Sequence, residues 1–413
     1  MSTNHSIEKR HIKVLLLEGV HASAAEAFRA DGYESVEEIP GAISDELLAE
    51  KLRDVHILGI RSRTQLTAGV LAEAKRLVTV GAFCIGTNQV DLGVARERGI
   101  PVFNAPFSNT RSVAELVLAE IVMLLRGIPA RNAATHRGEW LKTASGSHEA
   151  RGKTLGIVGY GHIGTQVGVL AEALGMRVLF YDIETKLALG NAQPVASLDP
   201  LLEQADIVTL HVPETPATQG MIAAAQLAKM KRGTSLINAS RGTVVEIEAL
   251  AKALESKHLA GAAIDVYPAE PESGSEPFVS PLRRFDNVLL TPHIGGSTVE
   301  AQHQIGLEVA TKLLKYSNNG STVAAVNFPE VSLPAQRGRQ RFLHIHHNVP
   351  GVLSQIDAVF SRRRVNIASQ YLQTDPFIGY VVIDIDADEK TDSQALREQL
   401  AAIEGTVKTR LLY

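Results

Sequence analysis

Three side chains of this 413-residue chain are of the types that assist transfer of a hydride and a proton. Arg241 follows the run SLINAS, Glu270 comes three residues after GAAIDVY, and His293 closes VLLTPH. Each run is short, apolar and β-rich, so residues far apart in sequence are predicted to converge at the carboxyl ends of neighbouring strands, where open α/β sheets bind ligands. Removing hydride from a hydroxyl-bearing carbon needs a base for the hydroxyl proton, and histidine titrates nearest neutrality. A carboxylate such as Glu270 orients the ring and favours its protonated form. The planar fork of Arg241 clamps a carboxylate and polarises a carbonyl oxygen. This division of labour fits exchange between a 2-hydroxy acid and a 2-oxo acid. Singly, a histidine after a strand is more often a satisfied structural residue, and Arg-Glu pairs are often surface ion pairs. The threefold coincidence at equivalent strand ends carries the reading.

The hydride needs an acceptor, and Lys153 to Asp182 reads as its binding unit: strand, tight turn, helix, strand, with Gly159, Gly161 and Gly164 in the turn. The first glycine permits the turn, the second lets backbone approach a pyrophosphate, and the third lets helix pack on strand. Apolar Leu155, Ile157 and Val158 precede the turn, Val167, Leu170, Ala171 and Leu174 follow at helical spacing, and Val178 to Phe180 leads into Asp182. The helix turns its N–H groups and positive dipole end toward phosphates. A carboxylate at Asp182 accepts from ribose hydroxyls and repels a 2′-phosphate, which favours NAD over NADP; the alternative is a strand-end residue that only caps a turn.

Around these residues the composition is that of a soluble metabolic enzyme, with 45% apolar and 21% charged residues and a net charge of -4. No basic patch marks a nucleic-acid partner. The single cysteine, Cys84, excludes an internal disulfide and a Cys-rich metal site and fits a reducing compartment. The polar start MSTNHSIEKRH shows no signal peptide, and the apolar helix from Val113 to Leu125 is interrupted by Glu115 and Glu120, so no membrane segment and a cytoplasmic location are expected.

Residues 12 to 108 alternate strand and helix runs without a dinucleotide fingerprint, the rhythm of a second parallel sheet. Its edge after Ile57 to Ile60 carries Arg61, Ser62 and Arg63, either a site for an anionic substrate or a solvated loop. Asn109 or Ser112 is placed to cap the helix through Leu125, and the polar stretch from Arg131 to Lys153, with Trp140 and Lys142, reads as an arm or loop. A helix from Val299 to Tyr316 is placed to return the chain to the first domain, followed by a linker at 317 to 340. The last 75 residues or so read βαββαβ, a ferredoxin-like domain short of core on its own. The expected class is α/β: two Rossmann-like or flavodoxin-like parallel-sheet domains plus a C-terminal ferredoxin-like one. The expected boundaries are 1–108 with 299–335, 109–298, and 339–413.

The runs GYGHIG, INASRGTVV, AAIDVYPAEP and LLTPHIGGST together resemble the D-isomer-specific 2-hydroxyacid dehydrogenase family. RSRTQLT, CIGTNQVDL, FNAPFSNTRSVAELV and the tail narrow the resemblance to its bacterial members acting on 3-phosphoglycerate. It implies NAD-dependent oxidation of that substrate in the first step of serine synthesis, a homotetramer, and in some relatives reduction of 2-oxoglutarate. It carries over His293, Glu270 and Arg241 as catalytic residues. For the cofactor it implies His162, Ile163, Asp182, Ala239, Ser240, Asp265 and Gly295; for the substrate Arg61, Ser62 and Asn109, with Trp140 and Lys142 reaching toward a neighbouring subunit.

The tail resembles an ACT domain, a module that binds amino acids between two copies, and implies L-serine as effector at His346, Asn348 and Asn366. Four positions depart from the pattern: His347, Val349, Arg364 in place of a turn glycine, and Arg337-Gly338 in place of a hinge glycine pair. The alternatives are a sister dehydrogenase of the lactate or glyoxylate type, an NAD-sensing corepressor-like binding protein, and a tail that serves only oligomerisation.

Overall fold

A computed structural model describes residues 8–271, 276–334, 339–386 and 391–412. The chain divides into two compact units, Met1–Ser108 with Gln302–Tyr413, and Asn109–Ala301.

In the first unit, β1 (Val14–Leu16), β2 (Val36–Glu38), β3 (Ile57–Ile60), β4 (Thr79–Ala82) and β5 (Val102–Asn104) form a parallel sheet in the order β2-β1-β3-β4-β5. The residues of β1 and β3 to β5 are buried on both faces, which is why these runs are continuously apolar rather than alternating. The helix Val299–Asn319 does return to this sheet: Val309, Leu313 and Tyr316 pack with Phe83 and Phe103.

The ferredoxin-like region follows as expected, and its sheet is built later in the chain than the strands of the second unit. Those strands are β6 (Thr154–Val158), β7 (Arg177–Tyr181), β8 (Gln193–Pro194), β9 (Ile207–Leu210), β10 (Ser235–Asn238), β11 (Gly261–Ile264) and β12 (Val288–Leu290). They form one parallel sheet in the order β12-β11-β10-β9-β6-β7-β8. The chain runs outward from β6 to β8, then restarts at β9 on the other side of β6, so the strand order reverses beside β6.

The C-terminal region contributes β13 (Gln340–His347), β14 (Ile367–Thr374), β15 (Ile378–Ile385) and β16 (Thr406–Leu412), antiparallel in the order β14-β15-β13-β16. Its helices Val352–Arg362 and Ser393–Ala401 cover one face through Ile356, Phe360, Leu396 and Leu400. The other face shares a core with the first sheet: Leu343, Ile345, Ile378 and Tyr380 pack in one cluster with Phe103 and Tyr316.

Two expectations need correction here. The described part of the stretch 317 to 340 is not a free linker: 317–319 close the helix Val299–Asn319, and 320–334 is bonded coil. Its polar residues are spent on internal bonds: Asn327 accepts from Val102 N and donates to Ile100 O, Thr322 Oγ1 donates to Pro329 O, and Arg341 donates to Asn319 O and Pro334 O. Polar composition there reflects a hydrogen-bonded coil over a shared core, and the expected hinge pair Arg337-Gly338 lies outside the described residues. Similarly, the polar stretch from Arg131 is helical to His136 within the helix Ile128–His136, with Pro129 near its start, before the arm begins.

Candidate active site

The glycine turn shows why each glycine is required. Gly159 has φ +90° and stands where a Cβ would meet His211 O at 2.4 Å; a Cβ on Gly164 would sit 2.1 Å from Gly159 O. Gly161, by contrast, opens outward, and a Cβ there would meet no atom of the described residues within 4 Å. One glycine therefore serves the turn, one the packing of the helix His162–Ala173, and one keeps a space clear in front of a helix N-terminus, which is the cradle a pyrophosphate needs. His162 begins this helix, and Ile163 packs partly into the core.

Asp182 ends β7 beside that turn. Its Oδ2 accepts the Tyr160 backbone N–H at 2.8 Å and its Oδ1 accepts Glu184 N at 3.0 Å. The carboxylate therefore braces the glycine turn while keeping further lone pairs to accept hydroxyl donors. The residues fit a dinucleotide, and NAD, when bound, supplies the hydride acceptor.

Strands β10, β11 and β12 are adjacent in the sheet, and each ends in one of the three chemical residues' loops. After β10, the Asn238 side chain donates to Arg241 O at 3.0 Å and accepts from Ser240 N and Oγ, fixing the turn from which Arg241 projects. Ser240 is thus held by Asn238, and Ala239 packs against the core. Gly242 lies so close to the Tyr267-Pro268 backbone that a Cβ would meet Tyr267 C at 2.0 Å. That approach ties the Arg241 loop to the Glu270 loop.

His293 and Glu270 meet directly: His293 Nδ1 lies 2.9 Å from Glu270 Oε2 and 3.1 Å from Oε1. The bond to Glu270 raises the His293 pKa above its ordinary value, outweighing burial and the nearby Arg241 charge. Burial acts to raise Glu270, but the His293 bond, the Tyr267 N–H and the charges of His293 and Arg241 together lower it. With Nδ1 turned to the carboxylate, Nε2 is the ring nitrogen that can exchange a proton with a ligand hydroxyl.

His293 has φ +55°, in the left-handed region. Asp265, 2% exposed at the end of β11, holds this turn: Oδ1 accepts Thr291 Oγ1 and Ile294 N, and Oδ2 accepts Gly295 N. Tyr267 adds a second tie, its hydroxyl donating to Ile264 O at 2.8 Å or Thr291 O at 3.0 Å. Behind them Glu120 is buried on the helix Thr110–Leu125, and burial, with the Asp265 charge adding to it, pushes its carboxyl up to about 8. Sequence reading passed over Glu120 as an interruption; its phase with Val113, Val117, Ile121 and Leu124 places it on the buried face.

Contrary to expectation, neither Asn109 nor Ser112 caps that helix with its side chain. The Asn109 amide packs against Gly296, its Oδ1 is buried without a partner among the described residues, and Ser112 Oγ bonds Thr298 Oγ1. Both side chains are taken up by the turn that follows His293. Trp140 and Lys142 lie on the arm after the helix Ile128–His136, Trp140 being 81% exposed.

In the other unit, Arg61 and Ser62 stand immediately after β3, at the carboxyl edge of the first sheet. The effector residues fall at opposite ends of the C-terminal sheet. β15 pairs His346 with Gly379 at its start and Ile367, next to Asn366, with Ile385 at its end. Asn348 donates to Asp375 O and Asn366 to Asp386 Oδ2. Within one chain, His346 and Asn348 are therefore not brought to Asn366. Sequence reading missed His344, buried beside His346 with their Nδ1 atoms 3.3 Å apart; burial, with the His346 charge adding to it, pushes His344 down to about 4. Among the described residues no helix is long and apolar enough to cross a membrane.

Comparison with known proteins agrees with this architecture. Residues 118–295 match the D-isomer specific 2-hydroxyacid dehydrogenase, NAD binding domain, and residues 342–408 match the AHAS small subunit-like ACT domain. The chain is 63% identical over 408 residues to D-3-phosphoglycerate dehydrogenase of Escherichia coli (strain K12), covering 99% of each chain. It is 57% identical over 413 residues to the enzyme of that name from Haemophilus influenzae, covering 100% of each. Among solved structures it resembles D-lactate dehydrogenase from Aquifex aeolicus complexed with NAD and lactic acid, at 25% identity and a TM-score of 0.67 over 77% of this chain and 100% of that one. The chain belongs to the D-isomer-specific 2-hydroxyacid dehydrogenase family, among its D-3-phosphoglycerate dehydrogenases, with an NAD-binding domain and a C-terminal ACT domain.

Proposed function

We propose that this chain oxidises 3-phospho-D-glycerate to 3-phosphohydroxypyruvate with NAD, opening the route to L-serine. The observation that carries the reading is the 2.9 Å pairing of His293 Nδ1 with Glu270, at the end of a strand two removed from the strand that ends in Arg241. His293 Nε2 takes the C2 hydroxyl proton as the C2–H bond gives up its hydride, leaving the C2 carbonyl. Glu270 stabilises the imidazolium formed. Arg241 holds the substrate carboxylate and, in the reverse direction, polarises the carbonyl while protonated His293 returns the proton. Arg61 and Ser62, with Asn109, are the proposed substrate contacts, the first of them cationic as a phosphorylated acid requires. Trp140 and Lys142 are proposed to complete the site of a neighbouring copy.

The domain roles follow: 109–298 for NAD, 1–108 with 299–335 for substrate, 339–413 for regulation. The ACT domain supports regulation by an amino acid, proposed to be L-serine, bound at His346 and Asn348 of one copy and Asn366 of a second. The placement of these residues at opposite ends of β15 favours such a shared site and hence a homo-oligomer, proposed as a tetramer.

The test is NADH consumption with 3-phosphohydroxypyruvate, 2-oxoglutarate, pyruvate and glyoxylate, each with and without L-serine. Turnover highest with the phosphorylated acid and reduced by serine is expected. Preference for pyruvate or glyoxylate would overturn the substrate reading, and full activity in millimolar serine the regulatory one.

A further inference from the structure

The loop carrying Arg61 and Arg63 is organised by a carboxylate that belongs to neither the catalytic triad nor the substrate contacts named above. Glu18 follows β1, is 8% exposed, and turns its carboxylate beneath the loop after β3. Oε1 accepts the backbone N–H groups of Arg61 at 3.1 Å and Thr64 at 2.9 Å, and Oε2 accepts that of Arg63 at 2.9 Å. From the other side, Gln89 Nε2 donates to Arg61 O at 2.7 Å. Glu18 itself has φ +61°, a conformation costly for any residue with a Cβ, and its backbone is pinned by Glu18 N to Gly41 O at 3.1 Å.

Three N–H groups converging on one point make a concave anion receptor. Here the chain fills that receptor with its own carboxylate. The consequence is chemical: the N–H groups of Arg61, Arg63 and Thr64 are consumed, so an incoming anion is read by the guanidinium side chains and by Ser62. No ion pair to Arg61 or Arg63 occurs among the described residues, so both forks stay available to a ligand.

We infer that Glu18 is a positioning residue for substrate recognition, an internal anion that shapes the 61–64 loop so that Arg61 and Arg63 present their charge outward to the anionic group of the substrate. This rests on the reading of Arg61 as a substrate contact. The sequence signal was present: Glu18 stands at the carboxyl end of an apolar strand, as Asp182 does, and each braces the turn of a neighbouring strand.

The test uses the full-length enzyme with Glu18→Gln and Glu18→Gly, the latter because glycine accepts the left-handed backbone and spares the fold. Each is expected to raise the KM for 3-phosphohydroxypyruvate on the order of tenfold, the equivalent of one charge-assisted hydrogen bond. kcat should stay within about twofold and the KM for NADH should not move, since neither concerns this loop. In Glu18→Gly, added formate, small enough to enter the vacated receptor, is expected to restore the low KM. Amide hydrogen exchange at Arg61, Arg63 and Thr64 is expected to quicken in both variants and, in Glu18→Gly, to slow again with formate.

An unchanged KM in the folded variants, or exchange at the three amides identical to that of the native enzyme, would overturn the inference. If the native enzyme does not turn over 3-phosphohydroxypyruvate, the substrate reading fails by itself. The exchange rates and their response to formate then still decide whether Glu18 holds the loop.

Discussion

Asp265 accepts the backbone N–H of Gly295 at 2.8 Å, and by that bond a buried carboxylate fixes the residue pair that follows His293. Ile294 N and Thr291 Oγ1 converge on its other oxygen, so donors on both sides of His293 end on one side chain. The left-handed backbone of His293 costs about 1–2 kcal/mol for a residue with a Cβ. Asp265 offsets that cost, and the ring is held where Nδ1 meets Glu270.

Asp265→Asn keeps the volume but turns a donor toward backbone donors, a mismatch of about 1–3 kcal/mol. The proposed consequence is a fall in kcat of roughly ten- to hundredfold, because the histidine drifts from its carboxylate rather than because cofactor is lost. NADH binding followed by fluorescence should change far less than kcat. A variant with native kcat would remove Asp265 from the mechanism.

Glu270 raises the His293 pKa, so Glu270→Gln should move the histidine limb of the pH profile of kcat/KM to lower pH in both directions of reaction. In 2-oxo acid reduction, where protonated His293 is the proposed acid, the variant should lose activity at a lower pH than the native enzyme. The same pair has a pH window of stability. The raised histidine contributes below its ordinary pKa and loses its contribution as pH rises through the raised value. The lowered glutamate contributes above its ordinary pKa and loses its contribution as pH falls through the lowered value. Both side chains are more than one-third exposed, at 51% and 37%, so the stability effect is small and the kinetic limb is the measurement that decides.

Gly161 and Gly164 separate binding from folding within one turn. Gly164→Ala drives a methyl into Gly159 O and should destabilise the protein by about 1–3 kcal/mol. Gly161→Ala meets no atom of the described residues within 4 Å, so thermal stability should be native while NAD affinity falls at least roughly tenfold as the methyl takes the pyrophosphate's place. Native affinity in Gly161→Ala would place the phosphates elsewhere.

The legibility of these elements differs for physical reasons. The glycine turn, Asp182 and the three strand-end residues were visible because their backbone and chemical demands restrict residue type locally. The burial of Glu120 follows from helical phase but was masked by its charge. The roles of Asp265 as a turn holder, of Asn109 packed on Gly296, and of Glu18 beneath Arg61 depend on which strands become neighbours. Short polar side chains meeting backbone N–H groups across a sheet leave no periodic trace. Residues 320 to 334 misled because a hydrogen-bonded coil and a free linker share the same Ser, Asn, Gly and Pro content. The Arg364 departure was readable and has a structural counterpart. It stands at φ +55° after the helix Val352–Arg362, donating to Ser361 O while Val365 N donates to Phe360 O, the closing pattern that glycine serves best.

Glu120 should leave a signature in the pH dependence of stability. Its folded pKa of about 8 lies above the ordinary 4.5, so the folded chain keeps a proton that the unfolded chain releases between those values. Stability therefore falls as pH rises through this interval, and the contribution is lost above the folded value. Glu120→Gln removes the titration and should flatten the slope, with a gain at pH 8 of at most about 4 kcal/mol. Denaturant midpoints across pH 5–9 check it, and parallel curves for the two proteins would place the proton elsewhere.

The opposite placement of Asn348 and Asn366 makes the proposed serine site a property of two chains, and this has a test that no single variant supplies. Asn348→Ala and Asn366→Ala should each lose serine inhibition as pure proteins, because every site lacks one amide. When the two are unfolded and refolded together, an isologous pair containing one of each carries one site lacking both amides and one site with both intact. Inhibition by serine should therefore reappear in the mixture, in proportion to the hybrid fraction. A site contained within one chain cannot recover in this way, since each chain in the mixture keeps its own defect. The register that sets Ile367 against Ile385 while His346 lies against Gly379 predicts recovery.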